Sequence, residues 1–273
     1  MVSSRFNQVA RLVIPDMKKI LLLLMIFFMT GCGGDFDKRE KIIIGVDAEF
    51  APMTFRDEHG EFVGFDIDLA KEAARRLGVK IEFKPIDWNN KEFEITSKNI
   101  DMIWSGCDVI EEYKEYMIFG KPYMNNRQIV LAKKGNGFKI YSEYDLANLI
   151  VGTQAGSNSE DYVAANERLK KSLRNFKTYH SFRNGFNALD DGEIDALIVD
   201  EIAGRYEMSR NPKKFETFPA TIGAVTEFAV GFRKDNAELR DRIQGVFDEM
   251  IKDGTARKIS AKWFKADLIK SRK

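Results

Sequence analysis

Three aspartates in this chain of 273 residues follow apolar runs: Asp47 after IIIGV, Asp200 after ALIV, and Asp108 after IDMIW and the short stretch Ser105-Gly106-Cys107. Carboxylates at such points suit an ammonium group. Phe50 and Trp88 offer aromatic surface to an aliphatic stem, and Ser105 and Gly106 offer a hydroxyl and bare backbone. The stretch TQAGSNSEDY, with Ser157 and Asn158 at its centre, is a Gly-Ser turn entering a helical pattern. Such a turn can aim N–H groups and the positive end of a helix at a carboxylate. Together these are the parts of a site for a small zwitterion or cation. Each also has a plain structural reading: Ser157, Ser159 or Asp200 as helix N-caps, Asp47 as a turn residue, Phe50 and Trp88 as core aromatics, Cys107 as a small buried thiol. Their common placement after strands favours a site.

Strand ends converge only if a sheet brings them together, and the surrounding pattern supplies one. The run at 42–46 reads as a strand covered on both faces. Ile67, Ala70, Ala74 and Leu77 recur at helical steps, and Gly78 sits where a helix terminus favours a left-handed residue. Val79, Ile81 and Phe83 alternate as a second strand ended by Pro85, and residues 100–104 form a third. Strands separated by helices predict an α/β domain with a mostly parallel sheet, whose ligand lies beyond the carboxyl ends of the strands.

A second set repeats the design. Residues 129–131, 149–152 and 196–199 read as strands, Phe182, Phe186 and Leu189 mark a helix face, 228–232 is a further strand, and Leu239, Ile243, Val246 and Met250 mark a helix stopped at Asp253-Gly254. NIDMIWS and EIDALIVD share an Ile-Asp ahead of an apolar strand, a sign of two similarly built lobes. With no long linker between the sets, crossing strands are expected to join them.

Met17-Lys18-Lys19, an apolar run and Met29-Thr30-Gly31-Cys32 form an export signal with a lipobox-like ending, which takes Met17 as the start, residues 1–32 as signal plus lipidated Cys32, and 33–40 as a tether. Ten or so apolar residues are too few to span a bilayer, which takes roughly 20. The whole chain has 43 basic and 42 acidic side chains, and loss of Arg5, Arg11, Asp16, Lys18 and Lys19 leaves a slightly acidic remainder. That balance argues against a nucleic-acid partner. With Cys32 lipidated, Cys107 alone can form neither an internal disulfide nor a CxxC metal site.

The elements IGVDAEFAPMTF, GFDIDLAKEAARRLGV, IDW, NIDMIWSG, GKPYMNNRQIVL, VGTQAGSNSEDY, GEIDALIVDE and FAVGFRK resemble those of the amino-acid-binding proteins of ABC importers, across essentially all of the chain after the signal. The resemblance implies a two-lobed type II periplasmic-binding fold that closes by a hinge, with residues 41–126 and 227–273 in one lobe and 127–226 in the other. It also implies a monomer lipid-anchored outside the cytoplasm, an amino acid or related amine as ligand, an ABC permease and ATPase as partners, and neither cofactor nor metal. By position, Asp47 and Phe50 follow the first strand, and Trp88 packs on the ligand stem. Ser105, Gly106 and Asp108 meet the carboxylate and amino group, Ser157 and Asn158 donate to the carboxylate, and Asp200 takes the α-ammonium.

One departure stands out. Where the family usually has a hydroxyl residue and a carboxylate-clamping arginine, this chain has Asp108 and Tyr113. Either Arg127 or another arginine reaches in, or the ligand lacks a free α-carboxylate or carries extra positive charge. Two other functions compete: a dehydratase-type enzyme using Glu49, Asp108 or Glu227 as acids, and a sensing subunit reporting to a separate receptor. His59 and His180 are scattered and support neither a triad nor a metal site.

Overall fold

The computed structural model describes residues 41–270; the export segment, Cys32 and the whole tether at 33–40 lie outside them. The chain opens with β1 (Lys41–Val46), a small meander of β2 (Glu49–Phe50), β3 (Thr54–Arg56) and β4 (Phe62–Val63), and the helix Phe65–Leu77. Next come β5 (Lys80–Pro85), a 3-10 turn Trp88–Asn90 running into the helix Lys91–Thr96, and β6 (Met102–Asp108). After β7 (Met117–Phe119) follow β8 (Met124–Lys133), β9 (Ile150–Gln154), β10 (Asn175–Tyr179) and β11 (Ala196–Asp200). The helices Asn158–Ala165, Phe182–Asp191 and Glu201–Arg210 lead away from the ends of β9, β10 and β11, and β12 (Phe215–Arg233) precedes the helices Ala237–Lys252 and Thr255–Phe264.

The sheet order is β10-β9-β11-β8-β12-β6-β1-β5. β1 pairs in parallel with β5 and β6, and β9 pairs in parallel with β10 and β11. Between these parallel triplets run β8 and β12, antiparallel to each other, as the crossing strands the sequence predicts. β12 is 19 residues long: Phe215 pairs with Lys133 of β8 at one end, and Phe232 pairs with Met102 of β6 at the other. The resulting architecture is an α/β fold of two halves, each a mostly parallel sheet with flanking helices.

The two Ile-Asp elements play matching parts. Asp101 Oδ2 accepts the Ile43 N–H over 2.8 Å, and Asp195 Oδ2 accepts the Ile150 N–H over 2.7 Å. Each carboxylate thereby pairs a backbone donor of the neighbouring parallel strand.

Apolar runs become buried strands because both sheet faces are covered. Ile42, Ile44 and Val46 are buried against Ile67, Leu69 and Ala73 of the helix Phe65–Leu77, and each such large side chain contributes roughly 1.5–3 kcal/mol on leaving water. The same cluster continues into the other half through Leu131, Leu189, Leu197 and Val199, and a separate cluster of Val130, Val151, Val163, Ile198 and Ile222 packs the rest of that half. β6 runs past the expected end at Trp104 to Asp108, because Ala229 and Phe228 of β12 pair with Cys107 and Asp108. β10 and the β2–β4 meander were not expected: their sequences carry no sustained alternation of apolar residues.

Candidate functional site

The ends of β1, β6, β9 and β11 converge on one cavity. Asp47, Phe50, Trp88, Gly106, Asp108, Tyr113, Ser157, Asn158 and Asp200 line it, joined by Gln154 and Phe182. Of the expected residues only Ser105 is missing from the wall. Its hydroxyl accepts the Asp47 N–H over 3.0 Å and pairs with Thr54 Oγ1 over 2.6 Å, so it braces the turn that carries Asp47. The cavity and its mouth hold about 310 Å³ of empty space.

The three aspartates are buried and hydrogen-bonded as acceptors. Asp47 takes Gln154 Nε2 over 2.6 Å and the Glu49 N–H over 2.8 Å. Asp108 takes Thr226 Oγ1 over 2.5 Å and Asn126 Nδ2 over 3.1 Å. Asp200 takes Gln128 Nε2 over 2.5 Å and also Asn126 Nδ2. Its carboxylate makes no capping bond to the helix Glu201–Arg210, so the N-cap reading of its side chain does not hold. Burial raises all three carboxyls above the ordinary aspartate range; the donated hydrogen bonds oppose this, and for Asp108 the charge of Asp200 adds to it.

Glycine at 106 is a requirement of the wall. Its φ is +52°, and a Cβ there would lie 2.5 Å from Phe50 Cε1. Phe50 in turn packs on Phe182 and Phe228, with ring centroids 5.8 and 6.4 Å away.

Among the described residues, no arginine lines the cavity in place of the absent clamp. Arg127 forms a two-pronged pair with Glu201, at 2.6 and 2.7 Å, on an exposed face. The reason is strand phase: along β8 the side chains of Met124, Asn126 and Gln128 are buried while those of Asn125 and Arg127 face out. Tyr113 is buried against the cavity, and its hydroxyl donates to the Gly156 carbonyl over 3.1 Å.

Lys91, which strand-end reasoning missed, is buried behind this wall. Its Nζ donates to the Gly156 carbonyl over 2.7 Å and lies 4.4 Å from the Tyr113 ring centroid and 5.4 Å from that of Trp88. Asn126, Gln128 and Gln154 were missed likewise. For Asn126 and Gln128 the sequence carries no distinguishing signal, since Asn125 to Gln128 are all polar and only the strand's phase separates them.

The turn at 155–158 is partly filled by the chain itself. Glu160 Oε2 accepts the Gly156 N–H over 2.6 Å, and Ser157 caps the helix Asn158–Ala165 by accepting the Glu160 N–H over 3.3 Å. The capping reading of Ser157 therefore holds alongside its place in the wall. Cys107 is buried and lies outside the wall. Of the acids considered for catalysis, Glu49 accepts Ser181 Oγ over 2.5 Å and Glu227 pairs with Lys270.

Hydrogen bonds from both halves cross the site. Gln154 to Asp47, Ser181 to Glu49, and Lys91 and Tyr113 to Gly156 tie the β1 and β6 ends to the β9 and β10 ends.

The family model of the bacterial extracellular solute-binding proteins, family 3, matches residues 42–266. The chain is 30% identical over 235 residues to the L-cystine-binding protein TcyJ of Escherichia coli strain K12, covering 85% of this chain and 86% of that protein. It is 31% identical over 261 residues to the arginine-binding extracellular protein ArtP of Bacillus subtilis, covering 91% and 98%. Among solved structures, an ABC uptake transporter substrate binding protein from Streptococcus pneumoniae with bound histidine superposes with a TM-score of 0.79 at 34% identity, over 85% of this chain and 95% of that one.

Proposed function

The chain belongs to the bacterial extracellular solute-binding proteins of family 3, and on that premise we propose that it captures an amino acid or related small cation by lobe closure and delivers it to an ABC permease. Residues 41–126 and 227–273 form one lobe, residues 127–226 the other, and β8 and β12 are the hinge strands between them. Cys32 carries a lipid that anchors the protein to the outer face of the cell membrane. Asp47, Asp108 and Asp200 hold the ligand's amino groups, Phe50 and Trp88 flank its stem, and Gly106, Tyr113, Ser157 and Asn158 complete the wall.

The observation that carries this reading is the convergence of three buried carboxylates from three strand ends on one cavity bonded across from both sides. Side-chain hydrogen bonds tie the two halves across the cavity, so a ligand enters when the halves separate. Opening and closing is therefore the act of capture, and the change of shape is what a partner reads. The role is binding rather than catalysis, in keeping with relatives named as binding proteins.

A thermal-shift screen of amino acids and amines on the purified protein tests this, since a ligand that binds only the native state raises the melting temperature by mass action. A rise with at least one compound, abolished by Asp200→Asn, is expected. A flat response to the whole panel would overturn the reading. Transport is separated from sensing by uptake of the labelled ligand in cells with and without the adjoining permease genes.

A further inference from the structure

The walls of the cavity are rich in acceptors, and two of the donors beside them are already spent. Three carboxylates line it, and no lysine, arginine or histidine does among the described residues. Gln154 gives its amide N–H groups to Asp47 and to the His180 carbonyl, and Tyr113 gives its hydroxyl to the Gly156 carbonyl. Asn126, only 4% exposed, donates to both Asp108 and Asp200, which leaves its own Oδ1 buried with no hydrogen-bond partner. A buried polar atom without a partner is costly, and what this one lacks is a donor.

Two features that could hold an anion are engaged within the chain itself. At the turn before the helix Asn158–Ala165, the Gly156 N–H is taken by the Glu160 carboxylate, and Asp161 adds a second acid to the first turn. The Lys91 ammonium lies behind Trp88 and Tyr113, bonded to the Gly156 carbonyl and set against both rings. A ligand carboxylate placed near Asp108 or Asp200 would meet like charge at low dielectric with no clamp.

We propose that the ligand is a small organic cation with a protonated amino or guanidino group at each end and no free carboxylate, the chemistry of a decarboxylated basic amino acid. One cationic end lies in the cavity beside Asp108 and Asp200 and donates to both. The other reaches Asp47, with the stem between Phe50 and Trp88. This rests on the reading of the cavity as a capture site, and it names which members of the ligand class that site accepts.

Isothermal titration calorimetry on the purified protein decides it, with 1,5-diaminopentane and agmatine set against L-lysine and L-arginine, and with L-histidine and L-cystine alongside. The amines are expected to bind at least 100-fold more tightly than the amino acids that share their stems. In Asp108→Asn the amine affinity should fall at least 10-fold and the preference over the amino acid should shrink. Equal or tighter binding of any of the four amino acids would overturn the proposal while leaving the capture reading intact. A wild-type preference that Asp108→Asn leaves unchanged would overturn the role given to this pair of carboxylates. No binding of any compound would overturn the capture reading itself.

Discussion

Gln154 at the end of β9 donates to Asp47 just beyond β1 over 2.6 Å, and both side chains are buried. The bond joins the two halves through a carboxylate that burial alone would disfavour. Gln154→Leu keeps the bulk but leaves Asp47 without that donor, which costs about 1–3 kcal/mol. Urea denaturation at neutral pH should show the loss, and unchanged stability would mean that the bond is not formed in solution.

Asn126 stands between Asp108 and Asp200 and donates to both. Asn126→Ala removes the shared donor and brings two buried acids into unscreened opposition, a loss on the order of 3 kcal/mol when both are ionised. Because the amide favours the ionised forms, the loss should be larger at pH 8 than at pH 5. Equal losses at the two pH values would contradict this account of the pair.

Stability of the ligand-free protein should decline as pH rises through the neutral range. Burial raises Asp47, Asp108 and Asp200, and lifts Asp66, which accepts from the Gly106 N–H and the Tyr123 hydroxyl, to about 7. Below the unfolded value near 3.8, folded and unfolded chains are both protonated at these sites. Above it the folded chain holds more protons, so stability falls until the folded pKa is passed and then levels. For Asp66 that window runs from about pH 4 to about 7. Groups shifted the other way, such as Glu72, held at about 2 chiefly by its hydrogen bond to Arg75, contribute fully above about pH 4.5 and lose that contribution only as pH falls below it, so they add no slope between pH 5 and pH 8. Melting temperatures between pH 5 and pH 8 check the slope, and Asp108→Asn should make it shallower.

Gly156 has φ +70°, and a Cβ on it would lie 2.7 Å from the Asn89 Cα across the cleft. Gly156→Ala should therefore hinder closure, lowering ligand affinity at least 10-fold while the separated halves remain folded. Small-angle scattering with saturating ligand would show the variant more extended than the wild type; identical profiles would remove Gly156 from the closing surface.

Much of this was legible because strand ends are marked by polarity. The run at 42–46 ends at Asp47 and ALIV ends at Asp200, so the sequence alone located two of the three acids on strand termini. What it hid was carried by strand phase and long-range pairing. Arg127 and Asn126 are neighbours in sequence and both polar, yet only Asn126 faces inward, because β8 begins at Met124 rather than near Gln128. Lys91 follows a 3-10 turn rather than a strand and stays buried only because two aromatic rings and a carbonyl from the other half surround it. Ser105 shows the converse: it has the right type at the right place, and its hydroxyl serves the backbone of Asp47.

The most direct test is a crystal structure of the protein with its tightest-binding compound. The account predicts the compound between the halves, one cationic group within hydrogen-bonding distance of Asp108 and Asp200 and the opposite end at Asp47. Density for it in another place, such as the groove lined by Arg56, Arg183 and Arg210, with the three aspartates untouched, would contradict the account.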